Sequence, residues 1–69
     1  MGSNALEIRK QVWVNTPGKR YSVDLHDGRD GRDDYLMITE HNRRGRYRIA
    51  IPLPVVAHII EAIRDVLDT

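Results

Sequence analysis

The spacing of apolar residues changes once along this chain, and that change constrains its fold more than any other feature. In four segments, 6–15, 20–26, 35–41 and 46–51, apolar and polar residues alternate. A period of two is typical of strands with one buried face. From residue 54 onward, apolar residues recur at spacings of three and four, as in an amphipathic helix. The sequence therefore predicts four strands and one helix, with Leu53 as N-cap and Pro54 at the first helical position.

Turn-forming residues separate the predicted strands. Residues 15–18 (NTPG) suit a type II turn, residues 27–34 (DGRDGRDD) form a loop with nothing to bury, and residues 42–45 (NRRG) suit a tight hairpin. We therefore expect an α+β fold of order ββββα, in which an antiparallel meander carries the helix across its apolar face. Residues 6–68 form the predicted single domain, and residues 1–5 are interpreted as a leader.

Size and composition indicate that the domain has a partner. The chain has 69 residues and no cysteine, so disulfides and thiolate-bound zinc are excluded as stabilising devices. A domain of about 60 residues buries only ~60% of its unfolded surface, which leaves it marginally stable alone. No apolar run approaches the ~20 residues of a membrane span, and no signal peptide opens the chain. We expect a cytoplasmic protein, free of membrane and compatible with nucleoid association.

The two faces of the predicted sheet differ in character. The apolar face includes Ile8, Val12 and Val14 of the first strand, whereas the other face mixes arginines with aromatic and sulfur-containing side chains. Residues 1–52 contain ten Lys and Arg against seven Asp and Glu, and residues 53–69 contain one Arg against three acids. Cations interleaved with aromatic rings favour single-stranded nucleic acid, because bases stack on rings while arginines contact phosphates.

Three segments carry a family resemblance. KRYSVDL (19–25), DYLMITE (34–40) and RYRIAIPLPVVAHIIEAIRDVLD (46–68), in a ββββα order, together resemble one PUR repeat of the Pur-alpha family of single-stranded DNA- and RNA-binding proteins. The resemblance covers roughly residues 6–68. It implies an intertwined homodimer, as in small single-repeat bacterial members, in which each helix packs on the partner's sheet. The related Whirly folds share this topology and also bind single strands.

The resemblance also suggests roles for individual residues. Tyr35 matches an aromatic residue that wedges between stacked bases. The loop at 27–34 departs from the family, since it is about two residues longer and carries four aspartates. His26 and Met37 stand at positions where the family often has lysine. Arg29 and Arg32 then replace the missing positive charge.

The predicted nucleic-acid interface combines stacking and phosphate-binding residues on the polar side of the sheet. Its ten members are Arg9, Trp13, Arg20, His26, Arg29, Arg32, Tyr35, Met37, Arg46 and Arg48. Trp13 and Tyr35 are assigned to stacking and the six arginines to backbone contacts. For Trp13 the alternative is packing in a dimer interface, and for the basic run 42–48 it is a solvated hairpin. The alternative function is a dimeric protein–protein interaction module on the same scaffold.

No pattern in the chain indicates catalysis or a bound cofactor. Ser22, within a predicted strand, is not placed on a nucleophile elbow or beside a base. The 27–34 loop does not fit a calcium loop, because position twelve counted from Asp27 is Ile38 instead of glutamate. We therefore expect no enzymatic activity, no metal, no cofactor and no small-molecule substrate.

Overall fold

The computed structural model describes residues 8–68 and shows four strands followed by one helix. The elements are β1 (Ile8–Thr16), β2 (Lys19–His26), β3 (Tyr35–Asn42), β4 (Gly45–Pro52) and α1 (Leu53–Leu67). The strands pair antiparallel in the order β1-β2-β3-β4. This confirms the predicted α+β class and ββββα order. The interpreted leader at 1–5 and the predicted start of the first strand at Leu6 lie outside the described residues, and the domain boundaries stay a prediction.

The three connections are where the sequence places them. Gly18 has a φ of +87°, as the third position of a type II turn requires, and the Thr16 hydroxyl donates to the carbonyl of Lys19 at 2.8 Å. In the second hairpin, the Arg44 N–H donates to Asn42 Oδ1 at 2.7 Å. Residues 27–34 contain neither strand nor helix. The predicted turns and loop are therefore confirmed.

A bulge in β1 changes which of its residues face each side of the sheet. Ile8 pairs with His26 and Lys10 pairs with Leu25, so Arg9 is an extra residue between them. Because cross-strand partners share a face, Ile8 lies opposite a residue of the polar side, and Lys10 joins the apolar side. The prediction that Ile8 belongs to the apolar face is wrong. The extra residue resets the alternation that the sequence pattern assumes to be unbroken.

The helix does not cover the sheet of its own chain. Within residues 8–68, α1 contacts only β3 and β4, and none of its residues is buried. The radius of gyration is 14.0 Å, whereas a compact domain of this length has about 11 Å. The prediction that the helix lies across the apolar face of its own sheet is therefore wrong.

The junction between β4 and α1 explains the direction of the helix. Pro52 ends β4 and is also the helix N-cap, one residue earlier than predicted, so no loop remains to reverse the chain. The Leu53 N–H donates to the carbonyl of Asp34 at 2.9 Å, which ties the first helical residue to the end of the 27–34 loop. The ring of Pro54 fixes the φ angle of a residue in the first helical turn, as the ring of Pro52 does at the N-cap.

The apolar face of the sheet is left open in the single chain. It comprises Lys10, Val12, Val14, Tyr21, Val23, Leu25, Leu36, Ile38, Glu40, Tyr47, Ile49 and Ile51. Among the apolar side chains of the described residues, only Ile51 is buried, while Val12 and Ile49 are more than half exposed. No helix in this part of the chain is long and apolar enough to cross a membrane.

Candidate functional site

The opposite side of the sheet carries four rows of cross-strand neighbours, which we call the polar face. The rows are Asn15, Arg20, His41 and Arg46; Trp13, Ser22, Thr39 and Arg48; Gln11, Asp24, Met37 and Ala50; and Ile8, His26, Tyr35 and Pro52. Each row crosses the sheet from β1 to β4. The antiparallel register thus collects side chains from residues 8 to 52 on one surface.

The polar face is the better packed side of the sheet. Its short central side chains, Ser22 and Thr39, are 2% and 6% exposed, and Asp24 and His26 are 7% exposed. Longer side chains from the flanking strands cover them. His26, one of the ten predicted interface residues, is buried because the ring of Tyr35 lies against it.

Hydrogen bonds fix the orientation of the polar-face side chains on β1 and β2. The Gln11 amide donates to Asp24 Oδ1 at 2.7 Å, and the indole N–H of Trp13 donates to Gln11 Oε1 at 3.1 Å. Beside them, Ser22 Oγ and His41 Nε2 lie 3.1 Å apart within hydrogen-bonding geometry. Since Asp24 is buried and paired, it anchors the chain of contacts that ends at the indole.

Trp13 contacts a cation and a second ring. The guanidinium of Arg20 lies over the indole, 4.1 Å from its centroid, and donates through Nε to Asn15 Oδ1 at 3.0 Å. The ring of His41 is tilted at 39° with its centroid 5.1 Å away. Trp13 remains 38% exposed. The indole is therefore fixed in place while a substantial part of it faces solvent.

Tyr35 forms a parallel stack with His26 at the other end of the sheet. The ring centroids are 5.0 Å apart and the planes differ by 5°. Asp24 Oδ2 lies 3.8 Å from His26 Nε2. Because His26 occupies one face of the tyrosine ring, only the opposite face is free to receive a ligand.

The 27–34 loop is tied to β1 by ion pairs. Arg9 contacts Asp27 through Nε and Asp34 through Nη2, each at 2.7 Å. The Gly28 N–H donates to Asp34 Oδ1 at 2.9 Å. A side chain at Gly28 would place its Cβ 2.1 Å from the carbonyl oxygen of Arg32, so only glycine fits where the loop crosses itself. Arg9, predicted to contact phosphates, is thus engaged by two carboxylates.

The loop and the adjacent end of the polar face line an open pocket, which we call the loop pocket. Its volume is about 730 Å³. Tyr35, Met37, Ala50 and Pro52 form its floor, and loop residues including Arg29 and Arg32 form its wall. Four of the ten predicted interface residues, Arg29, Arg32, Tyr35 and Met37, therefore line one pocket. Arg29 and Arg32 belong to the loop, where the alternation of the strands does not apply.

Two arginines stand on the outer strand of the polar face. Arg46 and Arg48 lie on β4, opposite His41 and Thr39, and both are exposed. Within residues 8–68, neither forms an ion pair or a side-chain hydrogen bond. Their charges are therefore not neutralised by acids in the part of the chain that the structure describes.

The structure thus groups the ten predicted residues into three sets and leaves one apart. The sets are Trp13 with Arg20, the loop-pocket group of Arg29, Arg32, Tyr35 and Met37 with His26 behind it, and the edge pair Arg46 and Arg48. Arg9 lies apart, paired with Asp27 and Asp34 at the two ends of the loop. Sequence reasoning missed the roles of Gln11 and Asp24, although alternation places both on the polar face, and it missed Ala50 and Pro52, which become floor residues only once the loop has folded.

A further ion pair lies on the apolar side of the sheet. Lys19 Nζ, at the start of β2, is 2.8 Å from Glu40 Oε2 of β3. The hydrogen bond between them raises the pKa of Lys19 above its usual value and lowers the pKa of Glu40 below its usual value. No group of three His, Asp or Glu side chains within residues 8–68 is arranged to hold a metal ion.

Comparison with known proteins adds no relative. No protein-family model matches the chain, and neither curated proteins nor solved structures give a match. The resemblance to a PUR repeat therefore stays a prediction.

Proposed function

We propose that this chain is a homodimeric PUR-type domain that binds single-stranded DNA or RNA on the polar face of its sheet. The observation that carries the proposal is a fixed indole under an arginine, with two exposed arginines at the edge of the same face. Single-strand binders combine stacking rings with cations that follow the backbone. Trp13 and Tyr35 supply the rings, and Arg46 and Arg48 supply the cations.

The two rings suit stacking because their geometry is set before a ligand arrives. Trp13 is oriented by its hydrogen bond to Gln11, and Tyr35 by its stack on His26. A ring that is already immobilised loses little conformational entropy when a base stacks on it. Trp13 and Tyr35 lie in different rows and different strands, so they offer two separate stacking positions.

The dimer is proposed because the chain exposes two apolar surfaces that match each other. The apolar face of the sheet is open, and the helix exposes Ile59, Ile60, Ile63, Val66 and Leu67 along one side. Large exposed apolar patches mark interaction surfaces. In the proposed dimer, the helix of each copy covers the apolar face of the other copy's sheet.

The dimensions of the two surfaces also agree. The 15 residues of α1 span about 22 Å, and four strands at about 4.8 Å spacing make a sheet of similar width. The helix of one copy is therefore long enough to cross all four strands of the other. This arrangement is what the PUR resemblance implies, and it leaves both polar faces on the outside.

One observation favours the alternative function, a dimeric protein–protein interaction module. The 27–34 loop carries four aspartates beside the polar face, and two of them occupy Arg9. Negative charge at this end opposes phosphate binding. A protein partner with basic side chains would instead fit the loop, and binding would then not depend on a nucleic-acid strand.

Tyr35 tests the proposal through a matched pair of substitutions. We expect Tyr35→Ala to weaken binding of a labelled single strand by roughly 1–3 kcal/mol, about 5- to 150-fold, because the stacking surface is lost. Tyr35→Phe keeps the ring and should bind nearly as tightly as the wild type. Equal binding by all three folded proteins would remove Tyr35 from the interface.

The edge arginines provide a second, electrostatic test. We expect Arg48→Ala to lower the slope of log affinity against log salt by about one unit, as the loss of one phosphate contact does. Arg64→Ala removes the same charge from the helix and should leave the slope unchanged. An identical slope for Arg48→Ala and the wild type would contradict a phosphate contact at the sheet edge.

A further inference from the structure

The loop between β2 and β3 contains the same dipeptide twice. Asp27-Gly28 and Asp30-Gly31 are the two places in the chain where an aspartate or asparagine precedes a glycine. In such a dipeptide the backbone nitrogen of the glycine can attack the aspartate side chain, because glycine has no side chain to hinder the approach. Since the two copies lie in one loop, a difference in their reactivity shows how firmly the fold holds each of them.

Several contacts hold the first dipeptide. The Asp27 carboxylate pairs with Arg9 Nε at 2.7 Å. The Gly28 N–H, whose nitrogen would be the nucleophile, donates to Asp34 Oδ1 at 2.9 Å. Gly28 also lies where the loop crosses itself, in close approach to the carbonyl oxygen of Arg32. The segment has to leave this crossing and give up both polar contacts before the nitrogen can reach the carboxyl carbon.

The second dipeptide, in the middle of the loop, is held by a single backbone contact. The Arg32 N–H donates to the Arg29 carbonyl at 3.0 Å and closes a turn. Asp30 and Gly31 are the central residues of this turn, and both have a positive φ, as in a type I′ turn. Both are exposed. Within residues 8–68, the Asp30 carboxylate forms no ion pair or hydrogen bond, and the Gly31 N–H donates to no acceptor.

The backbone conformation of Asp30 lowers the free energy of opening the turn further. Its φ of +56° lies in the left-handed region, which is strained for a residue with a Cβ. Rotation out of this region breaks one backbone hydrogen bond but relieves the strain. Local opening therefore requires less free energy at Asp30-Gly31 than at Asp27-Gly28.

We propose that Asp30 is a site of spontaneous modification, where the backbone isomerises to isoaspartate, whereas the fold protects Asp27 in the same dipeptide. The Gly31 nitrogen forms a bond to Cγ of the protonated Asp30 carboxyl group. The amide proton and the carboxyl hydroxyl group leave together as water. The product is a five-membered succinimide ring.

Water then opens the succinimide in one of two ways. Cleavage of the bond between Cγ and nitrogen restores aspartate. Cleavage of the bond between the α-carbonyl carbon and nitrogen leaves the main chain running through Cγ and frees an α-carboxylate. The water released in the first step is consumed in the second, so no oxidant or reductant is needed. The isomer keeps its mass and charge but inserts one methylene into the main chain of the turn closed by Arg29 and Arg32.

Peptide mapping of the wild-type protein, aged at physiological temperature and neutral pH, tests the proposal. Trypsin cleaves after Arg29 and Arg32 and so places the two dipeptides in separate peptides, 21–29 and 30–32. Chromatography separates the isomers, which have equal mass. We expect peptide 30–32 to isomerise at least about tenfold faster than peptide 21–29, which is about 1.4 kcal/mol in activation free energy. Equal rates, a faster reaction at Asp27, or no isomer in either peptide would overturn the proposal.

Two variants and an unfolded control assign the difference to the fold. Asp30→Glu keeps the charge and the cleavage sites but cannot close a five-membered ring, so it should abolish the isomer in peptide 30–32. Arg9→Met removes the ion pair of Asp27 and should raise the rate at Asp27 about threefold without changing the rate at Asp30. In concentrated urea the two dipeptides should isomerise at similar rates. A difference that persists in urea would assign it to the neighbouring residues and overturn the role of the fold.

The modification is independent of the proposed single-strand binding, because it depends on the loop alone. Wild-type protein that binds no strand would leave the expected ratio of isomerisation rates unchanged. Equal isomerisation at Asp27 and Asp30 would overturn this inference and leave the proposed function as it stands.

Discussion

Truncation of a helix side chain tests whether a second copy covers the apolar surfaces. Ile63 lies in the middle of the apolar stripe of α1 and is 52% exposed in the single chain. Full burial of an isoleucine side chain contributes about 1.5–3 kcal/mol, so burying the exposed half on docking contributes roughly half of that per copy. A symmetric dimer contains the contact twice. We therefore expect Ile63→Ala to weaken dimerisation by about 1.5–3 kcal/mol, or 10- to 150-fold.

The same substitution has the opposite consequence if the chain works alone. No residue of α1 is buried in the single chain, and alanine is a better helix former than isoleucine. In a monomer, Ile63→Ala would therefore leave the melting temperature unchanged or raise it slightly. A lower melting temperature of Ile63→Ala would therefore indicate the dimer, and an unchanged or higher one would indicate the monomer.

Sedimentation equilibrium over a range of protein concentrations measures the dimer dissociation constant directly. Glu61→Ala is the control, because it shortens a polar side chain of the same helix and should leave the constant unchanged. A wild-type protein that is folded and monomeric at micromolar concentration would refute the dimer. An unchanged constant for Ile63→Ala would refute the assignment of α1 to its interface.

Three further predictions concern stability. Gly28→Ala should lower the free energy of unfolding in urea by ~1–3 kcal/mol, since the new Cβ meets the carbonyl oxygen of Arg32; an unchanged midpoint would show that the loop does not cross itself there. Arg9→Met should lower it by roughly 0.4–2 kcal/mol through the loss of two partly exposed ion pairs, and equal stability at low salt would contradict this. Glu40→Gln should lower the melting temperature at pH 7 but not well below pH 4.5. Because the pKa of Glu40 is lowered, the stabilisation by Lys19 is present above the usual carboxyl range and is lost as the pH falls. A difference in melting temperature between variant and wild type that persists in acid would argue against the ion pair.

Local patterns in the sequence were sufficient for the elements and their order. Period-two alternation marked the strands to within one or two residues wherever the structure describes them, and the change of period marked the helix. The Pro17-Gly18 turn followed from the backbone freedom of glycine at a position with a φ of +87°. These features depend on neighbouring residues only, so a single sequence contains the information.

Features that depend on distant residues were not accessible from periodicity. The bulge at Arg9 is stabilised by carboxylates 18 and 25 residues away, and the interruption of the apolar row by Lys10 was its only local sign. The burial of His26 requires the register that brings Tyr35 beside it. The direction of the helix depends on a strand-to-helix junction without a loop, which alternation does not describe.

The candidate site shows the same division between local and distant information. Alternation placed Trp13, Arg20 and Arg48 on one side of the sheet, and the register confirms that placement. The loop pocket was not foreseen, because it needs the 27–34 loop to fold back over the sheet. That fold depends on a close approach at Gly28 and on contacts to β1.

The most direct test of the central claim is fluorescence anisotropy of the wild-type protein with labelled single strands of DNA and RNA beside a duplex control. Titrations at about 50 and 200 mM salt give the number of phosphate contacts from the slope. We expect single strands to bind more tightly than the duplex and their affinity to fall steeply with salt. Binding to no strand at the lower salt concentration, or equal binding to single strands and duplex, would contradict it.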